Sequence, residues 1–259
     1  MKGALLVLVV LAGCRQQPPL TRELLAMGPS SQRKAADRTL DQVAERAERR
    51  LRAGEGPERA LAAVVFEEMG FNREVDDVDP RFMHLAAVLA DRRGSCLGLG
   101  ALFLALGERL GPAHGFQVAG VLVPGHFFVR VAGHNVELLR RGEEMPDGWY
   151  RERYRIPEGT PAYLRPLSPA EVMAVFDYNL GNHLTTEGRF DEAIAAYGRA
   201  RSAFPQMAEV PASLGRVWQL TGALDRARGA YEAAHAANPK LPGLEQNLAL
   251  VVEQLDGAR

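Results

Sequence analysis

Three side chains in the middle of this sequence have the types and spacing for acyl-transfer chemistry. Cys96 stands in "RRGSCLGLGALFLALGERLG", residues 92–111, where a turn-forming Gly94-Ser95 pair leads into an apolar, helix-compatible run. A thiol in the first turn of a helix lies beside backbone N–H groups without intrahelical partners and at the positive end of the helix dipole. Both favour a thiolate. Downstream, "PGHFFVRV" carries His126 at the start of a predicted strand, and "HNVELL" carries Glu137 two residues after Asn135. If Ala132-Gly133 form an even-numbered hairpin loop, Glu137 faces Phe128 and lies on the same sheet face as His126, diagonal to it. Cysteine as nucleophile, histidine as base and a carboxylate orienting the histidine make a triad for acyl transfer. Each residue alone has a plainer reading: a small buried cysteine, a structurally satisfied histidine, a strand-edge carboxylate. The other histidines, His84, His114, His134, His183 and His235, have no metal-ligand spacing, so neither a metal nor any other cofactor is expected. "GLGALFLALG" follows no strand and does not read as a dinucleotide loop. "RRGEEMPDGWYRERY", with Trp149 and Tyr150, reads either as a flank of a substrate cleft or as a solvated loop with an aromatic lid.

The elements that must position these groups follow from pattern. Residues 31–53 are charged and helix-favouring with a sparse stripe of Leu40, Val43 and Leu51; "GEGP" breaks them. A stronger amphipathic helix spans 57–70, from Pro57 to Gly70. Asp79-Pro80 starts another that Gly94 stops. The pattern then changes to a Val-, Phe- and Leu-rich segment interrupted by Gly and Pro, which predicts two or three strands with a turn at Ala132-Gly133. Helices followed by antiparallel strands predict an α+β domain over 31–157. Residues 158–168 read as a linker, and Ser168 with Glu171 as a capping box that opens a helical region over 169–259.

That region repeats every 34 residues: Leu180 recurs as Leu214, Gly181 as Gly215, Gly188 as Gly222, Ala193 as Ala227, Tyr197 as Tyr231 and Pro205 as Pro239. The pattern resembles the tetratricopeptide repeat, with two full units and a capping helix. Small residues let paired helices approach, and the aromatics fill the gap between them. Two units and a cap are either docked on the α+β domain as support or free to offer a peptide-binding groove to a protein partner.

The first residues set an address. Ala4–Ala12 is too short to span a bilayer but suits the apolar core of a signal peptide. Leu11-Ala12-Gly13-Cys14 resembles a bacterial lipobox, which predicts a signal peptide over 1–13, a lipidated Cys14 and a tether over 14–30. Arg15 after the cysteine favours the outer membrane, facing the periplasm. Lipidation of Cys14 would leave Cys96 without an intrachain partner. A formal net charge of −1 over 259 residues gives no electrostatic case for nucleic acid.

"DVDPRFMHLAAVLADRRGSCLGLGALFLALGERLG" followed by "GVLVPGHFFVRVAGHNVELLRRG" resembles the transglutaminase-like superfamily, in its bacterial branch with tetratricopeptide repeats. The resemblance implies a papain-like core of helices on a small antiparallel sheet, with Cys96 as nucleophile, His126 as base and Glu137 where the superfamily usually has Asp. It implies thioester chemistry on amide or peptide bonds, by hydrolysis or acyl transfer. Relatives in that branch can lack the cysteine, so a non-catalytic interaction protein is the competing expectation. For the oxyanion, the Cys96 backbone N–H is the first candidate donor, with Asn72 and Arg93 behind it.

Overall fold

The computed structural model describes residues 19–74 and 79–257. The signal segment, Cys14 and the start of the tether lie outside these described residues.

From Pro19 onward the expected tether is folded. Helix α1 (Pro19–Ala26) buries Leu20, Leu24 and Leu25. The Thr21 N–H and hydroxyl both donate to Glu108 Oε2, at 2.8 and 2.6 Å. The apolar stripe of "PLTRELLA" was overshadowed by the polar, Pro-rich residues before it. Helix α2 (Ser30–Arg52) buries Ala36, Leu40, Val43, Ala44 and Ala47, one face of a 3.6-residue period. The segment from Pro57 begins as helix α3 (Pro57–Ala62) and widens into a π-helix over Ala63–Glu68, with Ala63, Val64, Val65 and Phe66 all buried.

The helix expected from Pro80 to Gly94 is broken. Asp79 caps the chain by accepting from the Arg81 N–H at 2.9 Å, and a 3-10 turn (Pro80–Met83) follows. His84 is extended, α4 (Leu85–Asp91) resumes, and Arg92 in the left-handed region (φ 52°) ends it before Gly94. Arg93–Gly94 instead form strand β2, parallel to β1 (Asn72–Arg73). The break has a use: it frees the Phe82 carbonyl, which accepts the Ser95 N–H at 2.9 Å.

Helix α5 (Cys96–His114) is almost wholly buried along its first three turns, which makes it the central core helix. Its apolar length would suit a membrane, but its burial is supplied by protein: α1, α2 and α4 on one side and the sheet on the other. The sheet runs β3 (Val118–Val123), β4 (His126–Val131), β5 (His134–Glu137), β6 (Glu143–Glu144), all antiparallel and in sequence order. Ala132 and Gly133 take positive φ of 51° and 93°, the tight two-residue turn that matches strand twist. Helix α6 (Asp147–Arg153) covers the face opposite α5.

Residues 158–168 are not a free linker. Leu164 N–H donates to the Leu122 carbonyl (3.1 Å) and Leu167 N–H to that of Gly120 (2.9 Å), so the segment straps the open edge of β3. Ala162, Tyr163, Leu164 and Leu167 are buried there. An uncovered strand edge leaves its backbone groups unpaired, and the strap removes that liability.

Helix α7 (Pro169–Thr186) opens with the capping box, Ser168 Oγ accepting from Glu171 N and Glu171 Oε2 from Ser168 N. It pairs with α8 (Phe190–Ala203); α9 (Glu209–Leu220) pairs with α10 (Leu224–Ala237), and α11 (Leu244–Gly257) caps the array. A Cβ on Gly181 would meet the Tyr197 ring at 2.5 Å, and one on Gly215 the Tyr231 ring at 2.7 Å. The two glycines are therefore packing residues. One apolar cluster runs without interruption from α1–α5 and the sheet through Val172, Phe176, Tyr197 and Phe204 to Val217. The repeats are docked on the α+β domain.

Candidate active site

Cys96 is held by its neighbours in sequence. Ser95 caps α5, accepting the Gly98 N–H at 3.2 Å, while its own hydroxyl and N–H both point at the Phe82 carbonyl. This anchors the start of α5 to the 3-10 turn. Cys96 then sits at the first helical position, partly exposed, with a backbone N–H that the helix cannot satisfy.

His126 is brought to the thiol by the tight Pro124-Gly125 turn, with Gly125 at φ 70°, and by the pairing of Val123 with His126. The pairing of Val129 with Val136 extends by register to put Phe128 opposite Glu137, and Glu137 therefore reaches diagonally toward His126. Its two carboxylate oxygens lie 2.9 and 3.1 Å from His126 Nε2. Oε1 also accepts the Leu139 N–H at 2.9 Å, which fixes the carboxylate from behind. With Nε2 taken by Glu137, Nδ1 is the ring nitrogen that the carboxylate leaves open, and His126 lines the same cleft as Cys96. The glutamate's extra methylene is absorbed by this diagonal reach.

Electrostatics follow from that arrangement. Burial opposes charge on His126, but hydrogen bonds and charge from Cys96 and Glu137 outweigh it and raise the imidazole to about 9. Burial likewise pushes the Glu137 carboxyl up, while His126 and the Leu139 N–H hold it below the usual carboxylate value. Both side chains are buried, Glu137 at 1% exposure and His126 at 5%, so the pair is shielded from salt and water.

Three aromatic residues close the back of the site, and of these Tyr154 was not singled out from the sequence. Tyr154 stacks on His126 with ring centroids 5.1 Å apart and planes 9° from parallel. Tyr150 stacks on Phe128 at 3.9 Å, and burial with the Glu137 carboxylate pushes its phenol pKa up. Trp149 meets both tyrosines edge-on. Trp149 and Tyr150 thus belong to a packed helix behind the imidazole and do not line the cleft onto which Cys96 opens. Asn135 sets that helix in place: its amide donates to the Met145 carbonyl and to Asp147, which also binds Arg130. The readable signal was the four-residue spacing of Tyr150, in α6, and Tyr154, its C-cap residue, whose rings stack.

Cys96 and His126 open onto a cleft of about 370 Å³, a small-molecule or short-peptide size. Leu122, Gly125 and Phe127 line the core side. Its other wall comes from the repeats: Tyr178, Asn179, Asn182 and His183 of α7, and Glu209 of α9. Asn72 and Arg93 do not reach it. Asn72 donates to the Gly70 carbonyl and accepts from Arg141, and Arg93 pairs with Glu74. Among the described residues, no group of three or more His, Cys, Asp or Glu is placed to hold a metal ion.

Residues 34–175 match the family model of the transglutaminase-like superfamily, and residues 184–249 match that of the tetratricopeptide repeat. The first match runs beyond Pro157 through the strap and into α7, as the pairing of the strap with β3 would require. A comparison with curated proteins finds no match.

Proposed function

Because the chain belongs to the transglutaminase-like superfamily and carries tetratricopeptide repeats after that domain, we propose that it is a thiol-dependent acyl hydrolase or acyltransferase acting on amide or peptide bonds. The observation that carries this reading is an accessible thiol in the same cleft as a buried His–Glu pair. Cys96 is partly exposed in a cleft, and the histidine beside it is gripped by a buried carboxylate. A retired site would have no need of a buried His–Glu pair aimed at the sulfur.

The proton inventory defines the steps. With the shared proton on His126, the Cys96 sulfur attacks the substrate carbonyl carbon, a C–S bond forms and the oxygen takes the negative charge. The Cys96 N–H, at the start of α5 where the helix offers it no acceptor, serves as a donor to that oxygen. The imidazolium gives its proton to the departing nitrogen as the C–N bond breaks, leaving a thioester and a neutral imidazole. Neutral His126 then takes a proton from water or an amine, which attacks the thioester. The C–S bond breaks, and the proton and thiolate return to their starting places. Glu137 keeps the imidazole in one orientation and stabilises its charged form throughout.

The test is alkylation of Cys96 by iodoacetamide across pH, read on the Cys96 peptide by mass, with and without His126→Ala. The expected result is alkylation of the parent at neutral pH that the substitution slows about tenfold. A rate indifferent to His126 would leave the interaction-protein reading in its place. We further propose that Cys14 carries the lipid anchor, on the strength of the Leu11-Ala12-Gly13-Cys14 motif after an apolar run.

A further inference from the structure

The repeat module puts a carboxylate into the cleft that the triad does not use. Glu209 lies in the first turn of α9 and is 8% exposed. Its Oε1 accepts the Tyr163 hydroxyl at 2.8 Å, while Oε2 is buried with no hydrogen-bond partner. A buried, half-satisfied carboxyl costs stability, and native structures keep one only for a reason. Burial pushes its pKa up, against the pull of its own backbone N–H and of Tyr163, as expected for a carboxylate lacking a counter-charge.

The repeat register sharpens the point. At the 34-residue spacing Glu209 corresponds to Val175, an apolar residue that lines the same cleft. A packing position has been given over to a carboxyl. Among the described residues lining the cleft, the acidic groups are Asp79 and Glu209, and no lysine or arginine accompanies them. Asp79 is paired with Arg81 at 2.9 Å, so Glu209 is the carboxylate left for a ligand. Around it the polar wall is completed by Asn179, whose amide is spent on the Val175 carbonyl, and by Asn182, whose oxygen accepts from Tyr197.

We propose that the substrate whose carbonyl Cys96 attacks carries a cationic amino group, and that Glu209 of the second repeat binds it. The repeats would then form the specificity wall of the cleft, selecting a short acyl donor whose positive charge lies away from the reacting carbonyl. A bound ammonium supplies the hydrogen-bond donor that Oε2 lacks and a counter-charge for Glu209. This inference rests on the assignment of Cys96 as nucleophile, and its test separates the two.

The probes are three chloroacetamides that alkylate Cys96 and carry, on linkers of increasing length, a primary ammonium, a neutral methyl or a carboxylate. Rates are read on the Cys96 peptide of the full chain. At the matching linker length the ammonium reagent should react about tenfold faster than the neutral one, and the carboxylate reagent slowest. Glu209→Gln, which keeps an acceptor for Tyr163, should remove the preference, read as the ratio of the ammonium to the neutral rate. Glu209→Val, the residue type at the matching position of the first repeat, serves if the glutamine variant does not fold. Equal rates for all three reagents in the wild type, or a preference that survives both substitutions, would overturn the proposal. The neutral reagent's dependence on His126 reports separately on the nucleophile, so failure of one reading is not mistaken for failure of the other.

Discussion

At His126 two partners pull against burial and win. Its pKa is raised from 6.5 to about 9, so the stability it contributes is full below pH 6.5 and is lost as pH rises through about 9. Glu137 works in the opposite sense: its pKa is held below 4.5, so its contribution is full above that value and is lost in acid. The pair therefore stabilises most between these limits. Glu137→Gln, measured by urea unfolding at a series of pH values, should lose about 2 kcal/mol near pH 6, as expected for a hydrogen bond to a charged group. It should also flatten the decline between 6.5 and 9. An unchanged slope would mean that the carboxylate does not hold the proton on His126. The three residue types and their order are readable from the chain, and hairpin parity alone puts Glu137 on the face of His126. The rings behind them were not readable, because stacking of Tyr154 on His126 depends on where α6 lands, and a network of Arg130, Asn135 and Asp147 sets that.

Among elements, the joint between the 3-10 turn Pro80–Met83 and α5 controls the thiol. The Phe82 carbonyl accepts Ser95, and a Cβ on Gly98 would collide with that same carbonyl and with Val88. Gly98→Ala must therefore push the start of α5 off the turn that anchors it. A loss of about 2 kcal/mol is expected from overpacking, together with slower Cys96 alkylation. Thermal melting and alkylation of the same variant check both, and a variant as stable and reactive as the parent would remove the joint from the account. Helices α2 and α5 and the hairpin strands were legible because each carries a complete local signal: a period, a cap or a turn pair. The break at His84 and the strap over 158–168 were not. Both are decided by what lies across from them, the Ser95 N–H in one case and the edge of β3 in the other.

Over the whole molecule, core and repeats share one apolar cluster, and the cleft lies between them. Helix α1 adds a constraint on the proposed anchor. Pro19, its first residue, is five residues after Cys14, so even a fully extended connection reaches only about 18 Å. A lipid on Cys14 would hold the folded body close against the bilayer. Labelled palmitate should enter the wild-type chain in a bacterial host and be absent from Cys14→Ser; label that persists in that variant would rule out this anchor.

The chain alone determined the parts that rest on local periodicity and short-range geometry: the α+β order, the 34-residue repeat with its glycine–tyrosine contacts, and the His126–Glu137 pairing through the hairpin. Those signals are carried by residues within a few turns or strands of one another. Only the tertiary structure decided that the repeats complete the cleft, that α1 and the strap are folded, and that Glu209 is buried with an oxygen unpartnered. Each of these depends on which distant surface an element meets, and a sequence records the faces of its elements but not their opposite numbers.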